Sequence, residues 1–263
     1  MEKENIHIII REHDIPKIIF IVPYRDRREQ QLFFKEHMKM IMSDYKESEY
    51  AIFYVHQCDK REFNRGAMKN IGFLFIKQVY PNDYKNITLV FNDVDTMPYN
   101  KNFLNYDTFT GNVKHFYGFN FTLGGIVSIK AGDFEKTNGF PNLWAWGYED
   151  NTFQTRVIKS NLKIDRSSFY KFFDDRIMHQ NDKDTRTVNK NEYMKYVKRI
   201  NDGFHTIRDL QFKYDKTTGF INVINFNVPH EPKPELNKEH DFKNGNVPFK
   251  SNHRNPTMKM SLL

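Results

Sequence analysis

Residues 17–23, KIIFIVP, set five consecutive apolar side chains between a lysine and a proline. A run so short and so uniformly apolar has no wet face, so it reads as a strand buried on both sides. Strands of that kind belong to sheets covered by helices on both faces. The following residues agree. Residues 30–45 place Phe33, Phe34, Met38, Ile41 and Met42 at helical spacing, and residues 50–55 read as a second strand ending in His56-Gln57. Residues 64–79 read as a second helix, with Met68, Ile71, Leu74, Phe75 and Val79 on one face and Asn64 as its N-cap. Residues 87–92 give a third strand. This β-α-β-α-β order predicts a parallel sheet with right-handed crossovers.

The third strand delivers the first chemistry. In residues 89–98, LVFNDVDTMP, three apolar residues run into Asn92, Asp93, Val94 and Asp95. If the strand continues, alternation points Asp93 and Asp95 the same way, at the end of the sheet where ligands of open α/β folds bind. Two hard oxygen donors suit a divalent cation carrying a phosphate. The ordinary alternative is a strand exit, where Asp is a common turn former.

Past residue 100 the pattern is less regular. Gly124-Gly125 precedes a short apolar strand at 126–129. Residues 133–137 read as a helical turn closed by Asn138-Gly139, and helix returns at 152–159. Residues 170–189 are polar with few apolar anchors and read as a long mobile loop. Residues 209–216 and 220–228, split by Thr217-Thr218-Gly219, read as a β-hairpin. From Pro229 onward, prolines among charges read as an extended or partly disordered tail. The expected organisation is a catalytic domain over 1–228 and a Pro-rich polar tail over 229–263.

The 263 residues carry a formal net charge of +7 and one cysteine, Cys58. The cations are scattered, without the basic cluster or motif of a nucleic-acid binder, so the balance favours small anionic ligands. A single cysteine permits no internal disulfide. The apolar run at residues 8–10 is too short for a signal or a membrane span, so the expected setting is cytoplasmic with no membrane span.

Four further constellations could carry chemistry. Pro23-Tyr24-Arg25-Asp26-Arg27 follows the first strand, with guanidiniums that match phosphate oxygens. Phe63-Asn64-Arg65-Gly66 sits at a helix N-terminus, which favours an anion. Residues 144–151, WAWGYEDN, hold both tryptophans of the chain beside two carboxylates; exposed rings next to carboxylates suit a pyranose. His179, in residues 178–183, has the side chain most often found on metals. Each has a bland reading alone: a solvated loop, a capped helix, a helix start, a surface histidine.

Their order is specific. With Asn138-Gly139-Phe140-Pro141-Asn142, the W-x-W-G-x-E-D string, Asp182-Lys183 and Asp202-Gly203-Phe204, the chain resembles the β-1,4-galactosyltransferase family of metal-dependent inverting enzymes over roughly residues 17–228. The resemblance implies a single-domain α/β fold of the Rossmann-like, glycosyltransferase-A-like type, with an open, mostly parallel central sheet. It implies that UDP-galactose or UDP-N-acetylgalactosamine lies against Pro23, Tyr24, Arg25, Arg27, Phe63, Arg65, Asp93, Val94 and Gly125. It places Mn²⁺ on Asp95 and His179. Trp146 matches a tryptophan on a loop that closes over the donor, and Glu149 a contact to the donor sugar. Asp150 matches the catalytic base, and Asp150 with Asn151 faces a glycan acceptor.

Three positions depart from the family pattern. Asn151 stands where many members have a third acidic residue that holds the acceptor. Arg176 and Ile177 stand where members supply a third metal ligand, which leaves Asp174, Asp175 or water for that role. Thr122 matches a position that is usually Tyr and that crowds a 2-acetamido group; the smaller side chain predicts acceptance of N-acetylgalactosamine. Competing classes are a sugar-binding or inactive relative, and a phosphatase using residues 93–97. The second requires Thr or Val at the position of Met97.

Overall fold

The computed structural model describes residues 15–180, 185–241 and 249. In chain order the elements are β1 (Ile18–Tyr24), α1 (Arg28–Ile41), β2 (Tyr50–Gln57), α2 (Arg65–Val79), β3 (Thr88–Asn92), β4 (Thr96–Pro98), β5 (Asn112–Gly118), β6 (Ile126–Lys130) and α3 (Ala131–Lys136). They continue with α4 (Glu149–Lys159), β7 (Lys163–Asp165), β8 (Tyr170–Lys171), β9 (Ile177–His179), β10 (Thr185–Asn189), α5 (Lys190–Val197), β11 (Arg208–Asp215), β12 (Phe220–Asn227) and β13 (Asn237–Asp241).

The central sheet runs β11-β12-β2-β1-β3-β6-β5-β7, with β8 also on β5. Its middle is parallel as expected: β12, β2, β1 and β3 pair in parallel. The sheet as a whole is mixed, because β6 runs antiparallel to both β3 and β5 and β11 runs antiparallel to β12. The alternation of β1 explains its uninterrupted apolar sequence. Ile19 and Ile21 join one core with Ala67, Met68, Ile71 and Phe75 of α2. Ile18, Phe20 and Val22 join the other with Phe34, Met38 and Ile41 of α1. A strand covered on both faces keeps no polar position. Phe33, one of the helically spaced apolar residues of α1, is 42 % exposed. Asn64 caps α2 as expected, its Oδ1 accepting from the Ala67 amide at 2.9 Å.

Three expectations are corrected. The Asp93–Asp95 pair is not on a strand: β3 ends at Asn92, and a turn closed by Thr96 N–H on Asp93 O (3.2 Å) carries both carboxylates. The Asn92 amide fixes that turn by donating to the carbonyls of Asp93 (2.7 Å) and Thr96 (2.8 Å). Residues 170–189 are not a structureless loop, since β8, β9 and β10 lie there. β9 pairs with β4, and β10 with β13. The segment after Val228 is not wholly tail-like either, because β13 gives it five paired residues through Asp241. Residues 242–248 and 250–263 of that segment lie outside the described part, as do 1–14. Among the described residues no helix is long and apolar enough to cross a membrane.

Candidate active site

A cleft of about 610 Å³ opens at the C-terminal ends of β1 and β3. Pro23, Arg25 and Arg27 reach it from the end of β1, Phe63 and Arg65 from the start of α2, and Asp93, Val94 and Asp95 from the turn after β3. Gly125, Trp146, Glu149, Asp150, Asn151 and His179 complete the set of expected residues on its wall. Tyr24 is not on that wall. It is buried between His56 and Phe220, with ring centroids at 5.2 and 5.1 Å.

Backbone register brings Asp95 and His179 together. In the β4–β9 ladder His179 lies opposite Thr96, and the Gln180 amide donates to Asp95 O at 2.7 Å. The His179 ring packs edge-on against Phe172 at 4.9 Å, and both its nitrogens are buried without a hydrogen-bond partner. Burial lowers its pKa. Burial and then the Asp93 charge push Asp95 up to about 6. A half-buried imidazole whose two nitrogens are buried and unpartnered, beside a half-buried carboxylate, is the donor set of a borderline or hard divalent ion such as Mn²⁺, so these residues fit that metal. Among the described residues no three His, Cys, Asp or Glu side chains gather as a metal group. Arg176 clamps Asp174 through two guanidinium bonds of 2.8 Å, so that carboxylate is already occupied. Asp182 and Lys183 lie outside the described residues.

The carboxylates of α4 face the same cleft. Glu149 and Asp150 open that helix after Tyr148, whose φ is +71°. Burial and then Asp150 push Glu149 up to about 7. Asp150 is also raised by burial, against the pull of Lys69, whose Nζ donates to Asp150 Oδ1 at 3.0 Å. Lys69 is 3 % exposed and sits over the Phe140 ring at 4.5 Å. Gly124 leaves room for the other oxygen, since a Cβ there would lie 2.3 Å from Asp150 Oδ2.

Several placements were not legible in the string. The two tryptophans part company: Trp144 is 1 % exposed, stacked on Phe226 at 5.5 Å, while Trp146 reaches the cleft. Arg25 is partly structural, because both terminal nitrogens donate to Arg61 O at 2.6 Å. Phe63 lies between two guanidiniums, Arg65 at 4.9 Å and Arg25 at 5.5 Å. Lys69 was missed because it carries no motif and follows Met68 on a helix face that reads as core. An aromatic stack was missed as well. Phe119 stacks on Phe121 (5.4 Å) and on Phe172 (4.8 Å), and all three line the cleft, with Phe121 61 % exposed. Thr122, beside this stack, also lines it.

Comparison with known proteins bears on this geometry. Residues 13–107 match the model for the N-terminal region of glycosyl transferase group 7, and residues 106–180 match that for the N-terminal domain of galactosyltransferase. Beta-1,4-galactosyltransferase 7 of Drosophila melanogaster is 32 % identical over 161 residues, 58 % of this chain and 48 % of that protein. Xylosylprotein 4-beta-galactosyltransferase of Caenorhabditis elegans is 34 % identical over 162 residues, 58 % of this chain and 54 % of that one. The chain thus spans about half the length of these curated relatives. The catalytic domain of the Drosophila enzyme, solved with xylobiose, superposes with a TM-score of 0.63 at 23 % identity. The match covers 82 % of this chain and 96 % of that domain, which establishes the fold. A second Drosophila structure, of a mutant enzyme with manganese, UDP-Gal and xylobiose, gives a TM-score of 0.61 at 22 % identity and equal coverage.

Proposed function

The chain belongs to the β-1,4-galactosyltransferase family, and from that premise we propose that its cleft moves galactose or N-acetylgalactosamine from the UDP derivative to a sugar hydroxyl with inversion. The observation that carries the reading is the β4–β9 register, which sets His179 beside Asp95 in one cleft with Trp146, Glu149 and Asp150. Relatives named as galactosyltransferases, and a solved one holding manganese, UDP-Gal and xylobiose, support the substrate class.

In this reading Asp150 Oδ2 takes the proton of the acceptor hydroxyl. The hydroxyl oxygen forms its bond to the anomeric carbon as the bond from that carbon to the diphosphate breaks on the opposite face. UDP leaves with the electron pair, and the proton stays on Asp150 until solvent removes it. One carboxylate within reach of the nucleophile suffices as general base. Lys69 pulls against the burial that raises the pKa of Asp150 and holds its other oxygen. Asp95 and His179 would hold Mn²⁺, which when bound neutralises charge on the departing diphosphate, so no protein acid is needed. Arg27 and Arg65 hold the diphosphate, and Phe63 flanks the nucleoside. Glu149, partly protonated near neutral pH, can donate as well as accept toward donor-sugar hydroxyls. Trp146 covers the donor. The exposed Phe121 face offers the acceptor a stacking surface, and Asn151 replaces a charged acceptor contact by an amide. Thr122 leaves space for a 2-acetamido group.

Measuring UDP release with an acceptor array, with and without Mn²⁺, tests this. Asp150→Asn is expected to lower turnover by about 10²–10⁴-fold while UDP binding persists. UDP binding without transfer by the unsubstituted chain, on every acceptor and donor tried, would instead favour an inactive sugar-nucleotide binder. The departures at Asn151 and Arg176 are what recommend that second reading.

A further inference from the structure

β10 and α5 form one unit beside the cleft. β10 pairs with β13 and brings Arg186 to the cleft wall. The buried Asn189 side chain ties the unit together. Its Oδ1 accepts from the Asn191 amide at 2.8 Å, which caps α5, and its Nδ2 donates to Lys233 O (2.8 Å) and Asn237 Oδ1 (2.7 Å). The matched family models end by residue 180, short of this unit.

Every second residue of the stretch 144–148, WAWGY, fastens to it. The Trp144 amide donates to Glu192 Oε2 on α5 at 3.1 Å. The Trp146 amide donates to Thr187 O on β10 at 2.9 Å. The Tyr148 ring stacks on Tyr196 at 5.0 Å and meets Tyr193 at 5.1 Å, both on α5. The stretch ends on two left-handed residues, Gly147 at φ +96° and Tyr148 at φ +71°. A non-glycine residue holds that conformation only where its surroundings fix it. Glu149 and Asp150 follow directly and open α4.

Glu192 is the buried charge among these contacts. It is 2 % exposed, and its second oxygen pairs with Lys195 Nζ at 2.7 Å, with Lys195 8 % exposed. A buried ion pair adds little stability over apolar side chains of the same volume. Its effect here is geometric, because Lys195 orients the carboxylate that holds the Trp144 amide. Resting on the UDP-sugar reading above, we infer that Glu192 is a positioning residue for that reaction. With Lys195 it fixes the 144–148 stretch, so that Trp146 sits over the donor and α4 starts where Asp150 meets the acceptor.

Transfer kinetics, thermal melting and acrylamide quenching of tryptophan fluorescence test this on the full chain. Replacing both partners, Glu192→Met with Lys195→Met, removes the pair at similar volume, and the melting temperature is expected to hold or rise. The value of kcat is expected to fall about 10–100-fold, the scale of a reacting group displaced by about 1 Å. Trp144 is 1 % exposed, so the quenchable fluorescence reports Trp146. Quenching is expected to rise in the double variant, and not to rise when Trp146→Phe is added. Glu192→Gln with Lys195→Met restores an acceptor for the Trp144 amide and is expected to recover most of both signals. Unchanged kcat and unchanged quenching would overturn the inference. A fall in kcat that only follows loss of folded protein, with quenching unchanged, would make Glu192 a scaffold residue and overturn it too. Should the Met pair not fold, Tyr196→Leu loosens the same stretch at Tyr148. Lower kcat with higher quenching then supports the inference, and neither change sinks it. If the unsubstituted chain transfers no sugar from any donor to any acceptor, the functional reading falls and takes the catalytic role of Glu192 with it. Sugar transfer that is indifferent to these variants removes this inference alone.

Discussion

Replacing Lys69 by methionine removes one charge and little volume from the floor of the cleft. The ammonium lies 3.0 Å from Asp150 Oδ1, with the lysine side chain 4 % and the aspartate side chain 25 % exposed. At that separation and an effective dielectric near 20 the attraction is on the order of 5 kcal/mol. Solvent on the open side of Asp150 screens roughly half of it, which leaves about 2–3 kcal/mol, or roughly two pH units at about 1.4 kcal/mol each. Asp150 already binds its proton more tightly than an ordinary aspartate because it is buried, with Asp93 adding repulsion. Without Lys69 its pKa climbs further. The acid limb of kcat/KM against pH is therefore expected to move up by about two units, with partial recovery of the rate on the alkaline side. Lys69→Arg is expected to move it much less. Stability carries a second signature. A carboxylate whose folded pKa lies above its unfolded value costs stability as pH rises and it ionises. The deficit of Lys69→Met should therefore be smaller at pH 5 than at pH 8 in urea denaturation. Lys69 itself, raised above 10.5, contributes fully below that pH and loses its share only as pH rises through its folded pKa. A uniform fall in rate with the acid limb in place would refute the argument, because Lys69 would then not act through Asp150.

Two other substitutions probe specificity and acid stability. With Thr122 as the small residue beside the cleft aromatics, the proposed activity is expected to turn over UDP-N-acetylgalactosamine at least as well as UDP-galactose. Thr122→Tyr should suppress the former selectively, and galactose-only transfer by the unsubstituted chain would contradict this. His115 is buried, donating from Nε2 to Tyr117 O (3.1 Å) and Gly124 O (3.0 Å) and accepting from Arg166 Nε at Nδ1 (3.0 Å). Burial, then Arg166, holds its pKa down to about 4 from 6.5. Its contribution is thus complete above pH 6.5 and falls as pH drops toward 4, by up to about 3 kcal/mol. His115→Gln should flatten that part of the stability profile, and parallel profiles for the two proteins would show that His115 is not the group being charged.

What the amino-acid string determined is local. The unbroken apolar run at Ile18–Tyr24 specified a strand covered on both faces, and the spacing of Met68, Ile71 and Phe75 specified the helix that covers one of them. Asn64 announced its cap, and the order of the motifs announced the family. These features depend on periodicities of a few residues, which the sequence displays directly. Other features depend on which distant segments pair. His179 meets Asp95 only because β9 runs back along β4, and Arg186 enters the cleft only because β13 returns from beyond residue 229. Lys69 became the partner of Asp150 through the packing of α2 beneath the start of α4, at a helix position that periodicity assigns to the core. Trp144 and Trp146 look alike in a W-x-W string, yet one stacks in the core on Phe226 and the other faces the cleft. Side-chain chemistry is written residue by residue, but burial and neighbouring charge, which set whether an aspartate is a base or a strut, arise only once the chain has closed on itself.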